Sequence, residues 1–298
     1  MADPGPPPVL ALDIGGSHVT AALVDTALRN VIDTTRVRLS TDERGDANVI
    51  LDGWAEAARR ASQAASSDRV VALGLAVPAP FDYARGISLM RHKFAALYEQ
   101  PVLDLLRARL AGSGLESAPI RAGNDADLFA LGEWWAGAGR GFVRVIGLTL
   151  GTGLGSGFVD RGQIVTSGPR VPEGGEIWNL PYLDGVAEDY VSGGAIAREY
   201  AQATGRTESA GDVASRALDG DSHAKHAFAT LATHLARILA PLVARFEPEC
   251  VVVGGNIARA WALFGPDLQS ALAPVQTRPS QTFEDAALLG AAALVVGA

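Results

Sequence analysis

The stretch GNDAD places Asn124, Asp125 and Asp127 within four positions, where an apolar run gives way to a helical pattern. Helix capping explains such a cluster on its own. Asn124 would be the N-cap, and the aspartates would occupy the first turn, where the helix dipole favours negative charge. Three glycine turns raise a second kind of chemistry. Gly15 and Gly16 follow Asp13 and precede Ser17 in DIGGS; Gly151, Thr152 and Gly153 lie in LGTGLGSG; Gly254, Gly255 and Asn256 follow the run CVVV. Glycine lets backbone N–H groups converge on an anion, and Ser17 or Thr152 adds a hydroxyl donor. Hairpins also need glycine, so one such turn alone means little. Three together point to a nucleotide cleft, although the chain has neither Walker nor Rossmann spacing.

These residues need a frame. The chain opens with VLALDIGG, HVTAALVD and VIDTTRVRLS, apolar segments parted by turn residues, which predict hairpin strands. A helix from about Ala47 to Ala65 follows, then the strand VVALGLAVPAP, a helix around PVLDLLRARL, the strand PIRAGND and the helix bearing Asp125. Near Arg144 the order restarts with VRVIGLTLGTG, GSGFVD and GQIVTSG. Helices between about Ala187 and Phe246, the strand CVVVGGNI and terminal helices complete it. A βββαβα unit used twice predicts two α/β domains with a ligand cleft between them. We expect a disordered leader over residues 1–8, an N-terminal domain over 9–138 and a C-terminal domain over 139–298. The last helix is free to cross back to the first domain.

Composition limits the function. The 298 residues are 48% hydrophobic and 19% charged, enough for a sizeable core, and the net charge of −8 argues against nucleic acid or an anionic membrane as partner. The single cysteine, Cys250, excludes a disulfide framework and a multi-cysteine metal site. No basic start precedes an apolar signal region, and no apolar stretch approaches membrane-spanning length. The expectation is a cytoplasmic protein.

LALDIGGSHVTAALVD, GNDADLFALGEWWAG, GLTLGTGLGSGFV, GGEIWNLP and VVVGGNI, in this order, resemble the ROK family of sugar kinases from about Val9 to the C-terminus. The resemblance implies the two-domain actin-like ATPase (ribonuclease H-like) fold and transfer of phosphate from ATP to a hexose, usually at the C6 hydroxyl. It implies that Asp13 helps hold magnesium through water, and that Gly15, Gly16 and Ser17 face the phosphates from the first domain. Gly151, Thr152 and Gly153 would face them from the second, with Gly254, Gly255 and Asn256 bordering the adenosine. Asn124 would bind sugar hydroxyls and Asp125 would be the catalytic base. Glu176 and Glu188 match sugar-binding glutamates, and His92 stands where some members place a polar sugar contact. Family members are often homodimers.

The pattern also breaks. Most ROK kinases hold zinc with a histidine three residues after the first glutamate and three cysteines before the second. Here Asn179 takes the histidine position and LPYLDGVAED holds no cysteine, so no zinc is expected. Trp178, Leu180, Pro181 and Tyr182 are candidates for an apolar support in its place, and Ala79 replaces a frequent glycine beside the sugar. The resemblance with these departures implies as substrate a glucose-like hexose or an aminohexose such as kanosamine, whose amine Glu176 would favour. The alternative of another class is a ROK-type sugar-responsive regulator without a DNA-binding domain. Arg91, His92 and Lys93 form a compact basic cluster that suits a surface loop or a lid over the sugar. His223 and His226 suit a solvated helix start.

Overall fold

A strand covered on both faces must be apolar along its whole length rather than at alternate residues. VLALDI and LGLAV meet that demand early in the chain, RVIGLTL and CVVVG later. The computed structural model describes residues 6–64 and 70–297. Of the expected leader, residues 1–5 lie outside the described residues, as does Ala65 at the predicted helix end. The chain forms two units, Met1–Ala136 with Glu284–Ala298, and Gly137–Phe283.

In the first unit, β1 (Val9–Ile14) pairs antiparallel with β2 (His18–Asp25), which also carries β3 (Asn30–Val31) and β4 (Val37–Ser40). Helix α1 (Ala47–Gln63) leads to β5 (Leu73–Val77), which lies parallel to β1. A small hairpin of β6 (Phe81–Asp82) and β7 (Ile87–Ser88) and the helix α2 (Val102–Arg109) come next. Then β8 (Ile120–Asn124) adds parallel to β5 and runs directly into α3 (Asp125–Ala136). The sheet order is β3-β2-β1-β5-β8. Asp46 caps α1, its carboxylate accepting the N–H groups of Asn48 and Val49. One face of that helix, with Ile50, Trp54, Ala58 and Ala61, is buried.

The single strand expected across VIDTTRVRLS is broken between β3 and β4. Thr35 turns its hydroxyl inward, donating to the Ile32 carbonyl at 2.7 Å and accepting the Leu23 N–H at 2.9 Å. That bond takes a β2 donor that a continuous strand would have used.

The C-terminal helix, Ala286–Val296, belongs to the first unit and is apolar nearly all round. Its fit depends on backbones touching. A Cβ on Gly290 would overlap the Leu128 carbonyl of α3, and one on Gly132 would overlap the Ala286 carbonyl.

In the second unit, β9 (Arg144–Leu150) and β10 (Leu154–Asp160) form a hairpin extended by β11 (Gln163–Ile164), all that forms of the strand expected over GQIVTSG. A second small hairpin joins β12 (Pro181–Tyr182) to β13 (Gly185–Val186). Helices α4 (Ala187–Tyr190), α5 (Gly193–Thr204), α6 (Ala210–Leu218) and α7 (Ser222–Phe246) follow. Then β14 (Cys250–Gly254) lies parallel to β9, and after α8 (Gly265–Leu272) comes β15 (Gln276–Pro279), parallel to β14. The order β11-β10-β9-β14-β15 repeats the first unit's scheme, an antiparallel hairpin followed by parallel strands.

One expectation is corrected here. By length and composition α7 is able to cross a membrane, contrary to the expectation that no apolar stretch approaches that length. Polar residues at its start hide the run that follows. Phe228, Leu231, Leu235, Leu239 and Leu242 are buried in the second unit's core, so the helix reads as a core element.

Gly290→Ala is expected to cost about 2 kcal/mol or more through overpacking. Gly53→Ala in α1, with nothing within 4 Å of its added Cβ, is expected to gain about 0.5–1 kcal/mol from helix propensity. Urea denaturation of both variants measures the contrast; equal effects would refute the close helix contact.

Candidate active site

Local rules place the two carboxylates of the first unit. β1 and β8 both end at the same edge of the sheet, because both lie parallel to β5. Asp13 is level with Ala76, and Ala76 is level with Gly123, two residues before Asp125. Two strand spacings put the rows about 10 Å apart. The Asn124 side-chain oxygen accepts the N–H groups of Ala126 at 2.9 Å and Asp127 at 3.2 Å. Asn124 therefore caps α3 and keeps its amide N–H groups for a ligand. Asp125 Oδ1 also accepts the Ala126 N–H at 2.9 Å. Asp127 stands in the first turn of α3, as expected, and is buried there.

The electrostatics of this edge are set by crowding. Burial, then the charge of Asp125, push the Asp13 carboxyl up to about 7 against the pull of Arg38. Burial likewise raises the Asp125 pKa, opposed by the Ala126 N–H and by the charge of Lys93. Asp125 still reaches solvent at its surface, so water screens part of that rise. Gly15 and Gly16 form the β1–β2 turn, with the Gly15 N–H bonded to the His18 carbonyl at 2.9 Å. Ser17 bonds His18 Nδ1 at 2.9 Å, and the Glu43 carboxylate lies against Gly16. Ala79 follows β5, and His92 is exposed.

A magnesium ion bound here would have Asp13 as its protein ligand. Magnesium commonly rests on one or two carboxylates plus substrate phosphates, and a carboxyl destabilised by a neighbouring acid suits a cation. Among the described residues, no group of three or more His, Cys, Asp or Glu could hold a metal unaided.

The second unit holds a largely apolar cavity of ≈ 640 Å³, bordered by Gly151, Thr152, Gly193, Phe228, Asn256 and Ile257. Its size and lining suit a purine nucleoside. Gly151 lies in the β9–β10 turn, and its carbonyl accepts the Gly193 N–H at 2.8 Å. Gly255 has φ +78°, and a Cβ there would strike the Leu150 backbone. A side chain at this position is therefore excluded, and the chain can turn sharply from β14 (ending at Gly254) to Asn256 at the cavity. Gly193 and Gly194 at the start of α5, and Phe228 of α7, were not singled out from sequence. The signal available was SGG before a helical run.

The remaining candidates lie along one segment of this unit. The indole N–H of Trp178 donates to Glu176 Oε2 at 2.9 Å, and Trp178 itself is exposed, as is Asn179. The Glu188 N–H donates to the Trp178 carbonyl at 3.0 Å, closing the β12–β13 hairpin. Glu188 Oε2 accepts the Leu154 N–H at 2.8 Å and lies against Gly153. The structure thus brings Glu188 to the glycine turn. Of the four residues expected to support the segment, Leu180 and Tyr182 pack against the core, while Trp178 and Pro181 are exposed. Tyr182 Oη lies 2.8 Å from His234 Nδ1, with both rings edge-on, and Tyr190 closes the cluster at 5.2 Å from Tyr182. Sequence reading missed Tyr190 and His234. His226 lies 3.9 Å from Glu199, and the Asp221 carboxylate accepts the His223 N–H as the cap of α7.

The sequence profile of the ROK family matches residues 9–298. The chain belongs to the ROK family. Among ROK proteins it is 28% identical over 320 residues to a glucokinase of Thermotoga maritima, with 96% of each chain covered. An N-acetyl-D-glucosamine kinase of Haemophilus influenzae is 29% identical over 269 residues, with 83% of each covered. The crystal structure of a ROK hexokinase from Thermus thermophilus superposes with a TM-score of 0.80 at 27% identity, covering 97% of this chain and 99% of that one. The fold is therefore that of the ROK sugar kinases, the two-domain actin-like ATPase fold.

Ala214 of α6 also borders the cavity. Ala214→Phe is expected to raise KM for ATP about tenfold, a loss of about 1.4 kcal/mol, with kcat at saturating ATP little changed. Steady-state kinetics decide; an unchanged KM would place the nucleotide elsewhere. A pH effect follows from His234, whose pKa burial and then Arg237 lower. The folded state prefers the neutral ring, so this contribution to stability is full above the unfolded pKa of about 6.5 and is lost as pH falls through the lower folded value. Wild type is expected to lose stability relative to His234→Gln as pH drops from 7 to 5, read by urea midpoints; parallel curves would refute it.

Proposed function

We propose that this ROK protein is a sugar kinase that transfers the γ-phosphoryl group of ATP to the C6 hydroxyl of glucose or a glucose-like hexose. The observation that carries the reading is the state of Asp125. Its carboxylate is oriented at the start of α3 by the Ala126 N–H, and burial raises its pKa towards that of a useful base. A sugar hydroxyl is a weak nucleophile until its proton has an acceptor within reach. Asp125 accepts that proton as the hydroxyl oxygen bonds to the γ-phosphorus and the bond to the β-phosphate oxygen breaks, releasing ADP. Asn124, fixed by its capping bonds, presents its amide N–H groups to the sugar. Backbone N–H groups at the turns of Gly15–Ser17 and Gly151–Gly153 meet phosphate charge. Asp13 would hold magnesium through water, and the ion would supply positive charge opposite the phosphates.

The curated relatives support the acceptor class, being kinases of glucose and of N-acetylated hexosamines. Kanosamine is the second reading. Trp178 engages one oxygen of Glu176, and the other suits the ammonium of an aminosugar.

Glucose, mannose, N-acetylglucosamine and kanosamine, assayed side by side with ATP and magnesium, test the reading. At least one is expected to give a 6-phosphate, and no phosphorylated sugar would sink it. Asp125→Asn is expected to lower kcat by about 10²–10⁴-fold. Sugar affinity by calorimetry should stay within a few-fold; loss of binding at normal turnover would assign Asp125 to recognition alone.

A further inference from the structure

One short stretch, from Glu188 to Gly193, grips both limbs of the β9–β10 turn. On the β9 limb the Gly151 carbonyl accepts the Gly193 N–H at 2.8 Å. On the β10 limb the Leu154 N–H donates to Glu188 Oε2, also at 2.8 Å. Within the turn the Gly151 N–H donates to the Gly153 carbonyl at 3.0 Å. The carboxylate comes this close because residue 153 is glycine; a Cβ there would lie 2.6 Å from Glu188 Oε2. Glu188 is itself fixed. Its N–H donates to the Trp178 carbonyl at 3.0 Å, and the N–H of Ala187, which is wholly buried, donates to the Leu180 carbonyl at 2.9 Å. The Asp189 carboxylate accepts the Val186 N–H at 2.9 Å, closing the first turn of α4 around it. At the other end of the bond Leu154 is buried in the core of the unit.

We propose that Glu188 is a positioning residue of the nucleotide site, whose carboxylate holds the glycine turn in the conformation that meets the phosphates. The inference rests on the kinase reading above and moves this glutamate to the donor side, where the family resemblance made it a sugar contact. Turn and cavity are one place, since Gly151 and Thr152 border the cavity together with Gly193 and Gly194. Glycine-rich backbone has many conformations to lose when it closes on an anion. A turn gripped at both limbs has its N–H groups already converged, so that ordering cost does not fall on ligand binding. The grip on Leu154 is the stronger kind, because a charged carboxylate accepts it. The apolar wall of the cavity does not depend on this bond. It is built by Ala210 and Ala214 of α6, Phe228 of α7 and Ile257. Loss of the Glu188 carboxylate therefore weakens the hold on phosphates and spares the hold on the nucleoside.

The test compares wild type, Glu188→Ala and Glu188→Gln. Calorimetry measures the affinity of each for adenosine and for a non-hydrolysable ATP analogue with magnesium, and hydrogen exchange follows the Leu154 amide. In Glu188→Ala the affinity for the analogue is expected to fall about tenfold and that for adenosine to stay within about twofold. The Leu154 amide is expected to lose protection. Glu188→Gln, whose amide oxygen still accepts that N–H, is expected to fall between wild type and Glu188→Ala in both readouts. Steady-state kinetics should show the same split, with KM for ATP raised and KM for the sugar little changed. Equal losses for adenosine and the analogue overturn the inference, as does an unmoved Leu154 amide or a loss confined to the sugar KM. If wild type phosphorylates no sugar, the kinase reading fails, while calorimetry and exchange still decide the role of Glu188. Failure of wild type to bind the analogue overturns both.

Discussion

Two acids stand at one sheet edge, and each makes it harder for the other to carry its charge. Asp13 and Asp125 are brought there by the parallel pairing of β1, β5 and β8, which fixes strand direction and hence which edge each strand leaves. Burial and mutual repulsion favour protonation, while Arg38, Lys93 and the first N–H of α3 oppose it. Apolar strands are needed for the sheet to be covered on both faces, and that cover thins the water around the carboxyls at their ends without removing it from Asp125. Fold stability and site chemistry are therefore coupled: the core that holds β1 and β8 in register also raises the cost of ionising their ends. The same cost makes the edge receptive to cations.

The second unit repeats the pairing scheme with different end groups. β9 and β14 are again parallel, and again the chain turns at glycine beyond the strand ends. Here the ends carry no acids but Gly151, Thr152, Gly255 and Asn256, and helices α5, α6 and α7 wall an apolar cavity beside them. Ligands of open α/β sheets lie outside the carboxyl ends of the strands, because there the loops diverge and leave room. One unit carries charged side chains at that place and the other borders an apolar cavity there, so a duplicated architecture gives two unlike strand ends from one topological rule.

Much of this was legible in the sequence because it is settled locally. Continuous apolar runs marked the strands, and Asn124 before an apolar helix marked a cap that the structure forms through Ala126 and Asp127. What was not legible depends on distant partners. The break at Thr35 needs the Leu23 N–H, twelve residues away. The burial of Asp127 and the close contacts of Gly132 with Ala286 and of Gly290 with Leu128 follow from helix packing, to which composition is blind. Gly193 and Gly194 become cavity residues only once α5 lies beside the β9–β10 turn. The cluster of Arg91, His92 and Lys93 suits a surface loop or a lid alike from sequence, and the anchoring of its neighbours by Pro80 and Tyr98 depends on partners that the pattern does not show.

Glu188 gives the last step of the synthesis. Its backbone N–H closes the hairpin onto Trp178, and its carboxylate closes the glycine turn through Leu154. One residue therefore joins the segment of Glu176, Trp178 and Asn179, proposed to meet the sugar, to the turn proposed to meet phosphate. The hairpin between them is fixed from the other side by Tyr182 on His234. A bond from a charged carboxylate to a backbone N–H is stronger than a neutral one, so displacement at either end is resisted at the other. Binding that shifts Trp178 must then strain the Leu154 bond or carry the turn with it.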